Sequence, residues 1–379
     1  MGQVQDQMGL LLNFISFFWN DLGSFLVRAI NESFKKESLS SPQKEGIITL
    51  LPKGDKPRQF LENWRPITLL NVSYKIASGC IANRIKRILP DIIHSDQTGF
   101  VSGRCISENT RLLYDVIHYT QKRNVSGLLL LIDFEKAFDS VSWSFIKKTL
   151  IFKFGPEIKK WIDIFYKNTK SCVIVNGQVS TWFSIERGCR QGDPLSPYIF
   201  LLCAEILAMR IRKSPGVTGI KIKDMEYLIS QFADDTSIYL DGRRESFENV
   251  IKILNEFALW SGLKINYDKS QVVWLGSKKG SGTVFLPHLK LTWNPKTFKV
   301  LGITFSLDLE KMIELNYYPK LQLVRNLLKS WRGRCLTPLG KIVVIKSLMM
   351  SKITHLFLSL PNPGKQFITD LMLLFYDFI

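Results

Sequence analysis

Two acidic positions that follow apolar, strand-like segments constrain this sequence most. Residues 128–132 form a continuous run of leucine and isoleucine that ends at Asp133. Residues 228–232 and 237–240 are two further short segments of this kind, and the pair Asp234–Asp235 lies between them. A continuous apolar run of this length is typical of a buried strand. We therefore predict that a rigid sheet directs these carboxylates toward one point.

Carboxylates from separate segments of a chain suit the binding of divalent cations. Two hard cations about 3.5–4 Å apart need oxygen ligands from different parts of a protein. An acidic pair in a turn is by itself more often solvated, and Asp133 alone could cap a following helix. Because each acidic group here follows an apolar strand, the metal-site interpretation is favoured over these alternatives.

The charge of the chain points toward a polyanionic partner. The sequence has 51 lysines and arginines against 33 acidic residues, a net charge of +18, and it is 46% hydrophobic over 379 residues. That is enough apolar material for a large core in two or three compact units, so the excess charge favours nucleic acid over a merely basic surface. The six cysteines contain no Cys-x-x-Cys pair, which disfavours a zinc site or a disulfide framework.

The N-terminal segment is apolar over residues 9–30. It lacks a basic leader, and polar residues interrupt it at Asn13, Asn20 and Asp21, so we predict neither a signal peptide nor a membrane span. One helical stripe of this segment is apolar and consists of Leu11, Ile15, Phe18, Leu22 and Phe25. We expect this stripe to pack against the body of the protein.

Short strands and helices alternate along the rest of the chain without an internal repeat. Further strands are predicted at residues 46–51, 172–175 and 181–185, and the last two flank an Asn176-Gly177 hairpin turn. Helices are predicted up to about residue 34, after Tyr74, at 142–168 with a break near Gly155-Pro156, at 197–212, at 245–261 ending at Gly262, and from about 308 onward.

Three segments resemble the catalytic boxes of reverse transcriptases, and they occur in the order of that family. Residues 131–139 resemble the first catalytic-aspartate box. Residues 188–197 resemble the box that positions the template and the incoming nucleotide. Residues 231–240 resemble the Phe/Tyr-x-Asp-Asp box. Any one box is weak evidence, whereas the ordered set is specific.

Segments on either side extend the resemblance from about residue 10 to the end. Leu51-Pro52-Lys53, residues 63–67 and residues 96–100 with Gly103-Arg104 resemble fingers boxes. Residues 262–266 with Lys269, followed by Leu301-Gly302-Ile303, resemble the last palm boxes and the primer grip. The combination resembles the non-LTR (LINE-type) retrotransposon reverse transcriptases.

The resemblance implies an α+β right-hand polymerase with a small antiparallel palm sheet. It divides the chain into an N-terminal helical extension at 1–45, fingers at 46–128, a palm with part of the fingers at 129–306, and a partial helical thumb at 307–379. The basic helices of the thumb would grip the template and primer through phosphates, a contact that weakens with salt.

The resemblance also implies the metal ligands. Asp133 and Asp234 would be the main ligands, with Asp235 adjacent, and the backbone carbonyl of Phe134 would add one more oxygen. The cofactor would be two Mg²⁺ ions, with Mn²⁺ as a substitute. Asp139, in the same box, is expected to have a structural role as a helix cap.

The remaining site residues are assigned through the resemblance to nucleotide and primer. Lys53, Arg65 and Lys269 would approach the triphosphate, and Gln191 and Gly192 would contact the incoming nucleotide and template. A solvated charge at Lys53 or Lys269, or an ion pair at Arg65, is the alternative in each case.

Two further assignments complete the set. Phe138 resembles the steric gate that would clash with a ribose 2′-hydroxyl, and simple core packing is the alternative. Leu301 and Gly302 would form the primer grip.

The activity implied is RNA-directed DNA synthesis from an RNA template and a DNA primer, with deoxynucleoside triphosphates and no membrane partner. An inactive nucleic-acid-binding remnant and an RNA-dependent RNA polymerase are the alternatives, and Phe138 at the gate position argues against the second. Only about 45 residues precede the fingers boxes and no Cys/His cluster follows, so we expect a piece of a longer reading frame or a degraded copy. The family's site of action implies an intracellular, nuclear location.

Overall fold

The computed structural model describes residues 13–54 and 56–379, so Leu11 of the predicted stripe lies outside the described residues. The helices are α1 Trp19–Lys35, α2 Ser41–Lys44, α3 Val72–Ile92, α4 Ile106–Arg123, α5 Ala137–Ser140, α6 Trp143–Phe154, α7 Pro156–Tyr166, α8 Ser196–Arg212, α9 Arg244–Ser261, α10 Leu309–Arg332, α11 Pro338–Val344, α12 Met350–Ser359 and α13 Lys365–Phe378. A π-helical turn, Ile345–Met349, joins α11 to α12.

The strands are short. They are β1 Glu45–Pro52, β2 Trp64–Leu70, β3 Gly127–Ile132, β4 Lys170–Val175, β5 Gln178–Val179, β6 Phe183–Ser184, β7 Ile220–Ile222, β8 Met225–Tyr227, β9 Ile229–Phe232, β10 Asp235–Leu240, β11 Gln271–Leu275, β12 Thr292–Trp293, β13 Phe298–Val300 and β14 Ile303–Phe305. The predicted strands and helices are confirmed, with shifts of a few residues at their ends.

A five-stranded sheet in the order β12-β11-β3-β10-β9 forms the centre of the fold. Strand β3 is antiparallel to both of its neighbours, β10 and β11. A second sheet has the order β2-β1-β4-β5, with β6 paired to β4, and its β1–β4 pair is parallel. The mixture of helices and small sheets is the predicted α+β architecture.

Both faces of the central sheet are buried, which explains the continuous apolar run of β3. Leu128 and Leu130 belong to one core and Leu129 to another, since successive side chains of a strand point to opposite faces. Val272 and Val273 of β11 divide in the same way. The first core is completed by α3, α6, α8 and α9, and the second by α4 and the C-terminal helices.

The helical segment Pro338–Ser359 has the length and composition of a membrane span, the one such segment in the described part of the chain. Its inward residues, Val344, Met349, Ile353 and Leu356, are buried in the second core. Helices that pack inside a protein core pass the same test of length and hydropathy. These four side chains therefore pack within the second core, and 33% of the most apolar stretch of the segment is buried.

The predicted packing of the N-terminal stripe is wrong for three of its residues. Phe18 and Leu22 are each 38% exposed and Phe25 is 62% exposed. Helix α1 instead contacts the body near its C-terminal end, where the Phe34 ring lies 4.9 Å from the Trp161 ring. Because the helix docks at one end, its upstream apolar stripe remains on the surface.

Gly276 tests how tightly the edge of the central sheet is packed. It follows β11 with a φ of +57°, and a Cβ there would lie 1.8 Å from the Val125 carbonyl oxygen. Gly276→Ala should therefore lower the free energy of unfolding by about 2–3 kcal/mol or more. Gly79→Ala is the matched control: it lies inside α3 with open space at its Cβ, and should be neutral or stabilise by up to about 1 kcal/mol. Urea unfolding of both variants measures the contrast, and equal effects would contradict this packing.

Candidate active site

The register between β3 and β10 brings the predicted carboxylates together. Thr236 pairs with Ile132 in this antiparallel ladder. Asp133 and Asp235 are the next residues along the two strands, just past the last pair of the ladder, where a continuation of the register sets them opposite each other. The side chains of facing residues lie on one side of a sheet. The central sheet therefore directs Asp133 and Asp235 to a common point.

Asp234 reaches the same point through the hairpin turn between β9 and β10. Phe232 pairs with Asp235, so Ala233 and Asp234 form a two-residue turn. Ala233 takes a left-handed φ of +56°, in a turn that favours glycine at its first position. This strained backbone determines where the Asp234 carboxyl points.

The segment after α9 pairs with the residues that follow β3. The Asn266 N–H donates to the Asp133 carbonyl at 2.8 Å, and the Glu135 N–H donates to the Lys264 carbonyl at 2.9 Å. Successive carbonyls of an extended chain point in opposite directions. The Phe134 carbonyl therefore points away from this segment, toward the side of β10, where the resemblance expects a metal-ligand oxygen.

The three carboxyl groups disfavour one another's ionisation. The pKa of Asp235 is raised to about 6, chiefly by burial and then by the nearby charges of Asp234 and Asp133. Burial also raises the pKa of Asp234, with Asp133 adding to the effect and Arg65 opposing it. Asp235 nevertheless keeps an exposed edge, so the site is open to a solute.

A cluster of cations lies beside the carboxylates. Burial lowers the pKa of Lys53, and the positive charges of Lys269, Arg65, Lys56 and Lys136 lower it further. Mutual repulsion of this kind is relieved by a bound anion such as a triphosphate. Lys53, Arg65 and Lys269 were predicted here, whereas Lys56 and Lys136 were not, although Lys136 lies inside the box at residues 131–139.

Lysines also compensate Asp133. Burial raises its pKa, and Lys269 and then Lys53 oppose this shift. Acidic and basic groups therefore share one site, with Asp133 at the boundary between them. The Lys53 ammonium itself donates to the Glu62 carbonyl at 2.8 Å, which holds it at the end of the β1–β2 hairpin.

The loop that carries Gln191 and Gly192 lies against β2. The Gln191 carbonyl accepts from the Thr68 N–H at 2.8 Å. Gly192 has a φ of +113°, and a Cβ there would lie 2.4 Å from the Thr68 carbonyl oxygen. A side chain at this position would push the loop off β2, so glycine allows the close approach.

The predicted capping role of Asp139 is wrong. Asp139 lies inside the short helix α5, whose N-cap residue is Lys136. Its carboxylate instead accepts from the Gln191 side-chain amide at 3.2 Å. It thereby joins the first catalytic box to the box at 188–197.

Phe138 lies at the rim of the first core. Its ring stacks on the Phe200 ring at a centroid distance of 4.3 Å and an interplanar angle of 21°. The side chain is half-buried, so part of the ring remains accessible. This placement accommodates both the gate and the packing interpretation.

Leu301 and Gly302 form the two-residue turn of the β13–β14 hairpin, and both have positive φ values. A hydrogen-bonded chain ties this turn to the helices behind it. His355 Nε2 lies 2.9 Å from the Leu301 carbonyl, His355 Nδ1 lies 3.2 Å from Ser359 Oγ, and the Thr110 hydroxyl donates to Ser359 at 2.7 Å. The sequence boxes gave no sign of His355, which lies 54 residues beyond the turn.

The donor set fits Mg²⁺ that is shared with a substrate. Within residues 13–54 and 56–379, no three Asp, Glu, His or Cys side chains gather into a group that could hold a metal ion alone. Mg²⁺ in phosphate-transferring sites is usually bound through one or two carboxylates plus substrate phosphates. Carboxylates whose charges repel one another, beside cations suited to a triphosphate, match that arrangement.

A sheet that presents paired carboxylates beside a cationic cluster defines an α+β polymerase fold. Residues 51–305 match the family described as reverse transcriptase (RNA-dependent DNA polymerase), and the chain belongs to that family. The resemblance stated from the sequence boxes is thereby confirmed.

The relatives come from retroelements. The chain is 32% identical over 378 residues to the "Transposon TX1 uncharacterized 149 kDa protein" of Xenopus laevis, covering 98% of this chain and 28% of that protein. It is 26% identical over 274 residues to a Pol polyprotein of the type-1 retrotransposable element R2 of Popillia japonica, covering 69% of this chain and 37% of that protein. A solved telomerase structure from Candida tropicalis is similar at 11% identity with a TM-score of 0.48, covering 95% of this chain and 65% of that one. This chain thus spans about a third of the length of these retroelement relatives.

The raised pKa of Asp235 predicts a pH-dependent cost to stability in metal-free buffer. Its pKa of about 6 lies above the ordinary 3.8, so the cost is absent below about pH 4, grows as the pH rises through 6, and is complete at pH 7.5. Asp235→Asn should therefore raise the free energy of unfolding at pH 7.5 and leave it unchanged at pH 4.

Urea unfolding at the two pH values measures this difference. Asp224→Asn, which changes an exposed aspartate between β7 and β8, is the control and should not reproduce it. Added Mg²⁺ at pH 7.5 should stabilise the wild type more than Asp235→Asn. An equal gain from the substitution at both pH values would contradict the electrostatic account.

Proposed function

We propose that this chain catalyses RNA-directed DNA synthesis, adding deoxynucleotides to the 3′ end of a primer by two-metal nucleotidyl transfer. The observation that carries the proposal is the register of β3 and β10, which sets Asp133 beside Asp235 with Asp234 in the adjoining turn. The cationic cluster around Lys53 supports it, because a polymerase must bind a triphosphate next to its carboxylates.

Asp133, Asp234 and Asp235 would hold two Mg²⁺ ions, with the Phe134 carbonyl as an additional oxygen. When bound, such ions activate the primer hydroxyl and stabilise the triphosphate and its leaving group. The protein residues do the positioning. Lys53, Arg65 and Lys269 would orient the triphosphate by charge, and Arg65 can bind phosphate through its two-pronged guanidinium.

The template and the primer would lie along the basic surface. The C-terminal helices and the turns between them carry exposed cations, among them Arg325, Lys329, Arg334 and Lys346, and the inner face of the helices is buried in the second core. Phosphate contacts of this kind make affinity fall with salt. The turn at Leu301 and Gly302 would support the primer end. We also propose that the chain acts on DNA in the nucleus, as an extension of its membership in a retroelement family.

Primer extension tests the proposed activity directly. The purified chain should extend a DNA primer on an RNA template with Mg²⁺ and deoxynucleotides. Asp234→Ala with Asp235→Ala should reduce the rate by about 1000-fold or more, since metal stabilisation of the transition state is worth several kcal/mol. Asp224→Ala with Glu245→Ala removes two exposed acidic groups elsewhere and should retain the wild-type rate.

Two results would replace this proposal with another. A folded wild type that binds the template and primer in a salt-dependent way, yet incorporates no nucleotide, would indicate a nucleic-acid-binding protein without activity. Efficient incorporation of ribonucleotides in place of deoxynucleotides would indicate an RNA polymerase.

Replacement of Phe138 tests the gate assignment. Phe138→Val should increase the use of ribonucleotides relative to deoxynucleotides by about tenfold or more, because the smaller side chain leaves room for a 2′-hydroxyl. The matched control is Phe145→Val, which changes another half-buried phenylalanine at the rim of the same core. The ratio of kcat/KM values for the two nucleotide types is the measurement. An unchanged ratio with lowered stability would assign Phe138 to core packing alone.

A further inference from the structure

We propose that Gln97 is a positioning residue for the catalytic turn, which it holds in a strained conformation by binding the backbone of Ala233. The inference rests on the proposed function, since that function needs Asp234 and Asp235 at defined positions. Gln97 lies 136 residues before the turn and belongs to a box, residues 96–100, to which the sequence alone assigned no role beyond the fingers.

The turn needs support from outside itself. Ala233 has a φ of +56°. Because of its Cβ, an L-residue populates this left-handed conformation about tenfold less than the right-handed one. The turn consists only of Ala233 and Asp234, so the strained residue is joined directly to a proposed metal ligand. A relaxed Ala233 would rotate the following peptide and redirect the Asp234 carboxyl.

Gln97 supplies that support with a single amide group. Its Oε1 accepts from the Ala233 N–H at 2.9 Å, and its Nε2 donates to the Ala233 carbonyl at 3.2 Å. The same Oε1 accepts from the Gly99 N–H at 2.9 Å. Gln97 is only 1% exposed and Ala233 5% exposed, so neither Ala233 backbone group has ready access to water as a substitute.

The residue type follows from this geometry. The side chain must present one acceptor and one donor together at the end of a chain two methylenes long, which asparagine is too short to do and glutamate cannot do when ionised. A methionine has nearly the same reach but neither group.

The segment that carries Gln97 is fixed to the same sheet. The Thr98 N–H donates to the Gln231 carbonyl at 2.9 Å, and the Gln231 N–H donates to the Asp96 carbonyl at 2.8 Å. Asn109 of α4 donates to the Gln231 carbonyl at 2.9 Å as well. The segment that carries Gln97 is therefore fixed to β9, the strand that leads into the turn. We call the contact of Gln97 with the Ala233 backbone the clamp.

Arg104 holds the segment from its other side. Its guanidinium donates to the carbonyls of His94, Gln97, Pro90 and Ile93 at 2.6–3.2 Å. Gly99 lets the segment approach the turn, because a Cβ there would lie 2.5 Å from the Ala233 nitrogen. The box at residues 96–104 thus acts as a built support for the catalytic turn.

A pair of substitutions separates this role from ordinary packing. Gln97→Met should lower kcat for single-nucleotide extension by about tenfold or more while KM for the template–primer changes less than about twofold. Glycine adopts left-handed φ values without strain, so Ala233→Gly should reduce the loss caused by Gln97→Met several-fold. A residue that merely fills the core would gain nothing from Ala233→Gly.

Binding of Mn²⁺ alone gives a readout that does not depend on activity. Titration followed by the electron paramagnetic resonance of free Mn²⁺ should show affinity weakened several-fold in Gln97→Met, and largely restored by Ala233→Gly. The control is Gln121→Met, which removes a side-chain bond to the Leu307 carbonyl and should leave Mn²⁺ affinity unchanged. If Gln97→Met does not fold, Gly99→Ala displaces the same turn and should weaken Mn²⁺ binding in the same way.

The outcomes distinguish this inference from the proposed function. Wild-type Mn²⁺ affinity and kcat in folded Gln97→Met, or a loss that Ala233→Gly does not reduce, would overturn the clamp even if the wild type is active. Weakened and restored Mn²⁺ binding in a chain that extends no primer would support the clamp while the proposed activity failed.

Discussion

The antiparallel register between β3 and β10 is the constraint on which the site depends. A slip of one residue would turn every side chain of β10 to the opposite face, and Asp235 would no longer share a face with Asp133. Burial of both faces prevents such a slip, because Ile238 belongs to one core and Tyr239 to the other. The same alternation that stabilises the sheet therefore sets the position of the carboxylates at its end.

The site is organised at a cost to stability that a substrate complex would offset. Burial raises the pKa of both Asp133 and Asp235; Lys269 and Lys53 oppose this shift at Asp133, whereas Asp234 and Asp133 add to it at Asp235. The lysines in turn repel one another around Lys53. An acidic group and a basic group therefore lie side by side, each with internal repulsion. A divalent cation would relieve the repulsion among the acids, and a polyphosphate would relieve it among the bases.

Local sequence patterns predicted the helices, strands and turns, but they could not predict contacts between residues far apart in the sequence. The run at residues 128–132, the hairpin turn at Asn176-Gly177 and the helix end at Gly262 are encoded in neighbouring residues, and the structure has them where expected. The parallel pairing of β1 with β4 and the contact of Gln97 with Ala233 join residues more than 100 positions apart, which periodicity cannot reveal. The exposed stripe of α1 failed because amphipathic spacing gives the apolar face of a helix but not whether another element covers it.

The most direct test of the central claim is the position of the metal ions in a crystal of this chain with an RNA template, a terminated DNA primer, a deoxynucleoside triphosphate and Mn²⁺. Anomalous diffraction should place Mn²⁺ about 2.0–2.3 Å from carboxylate oxygens of Asp133 and Asp234, between the primer end and the triphosphate. A bound triphosphate with its Mn²⁺ away from these aspartates would contradict the claim that the β3–β10 register builds the catalytic site.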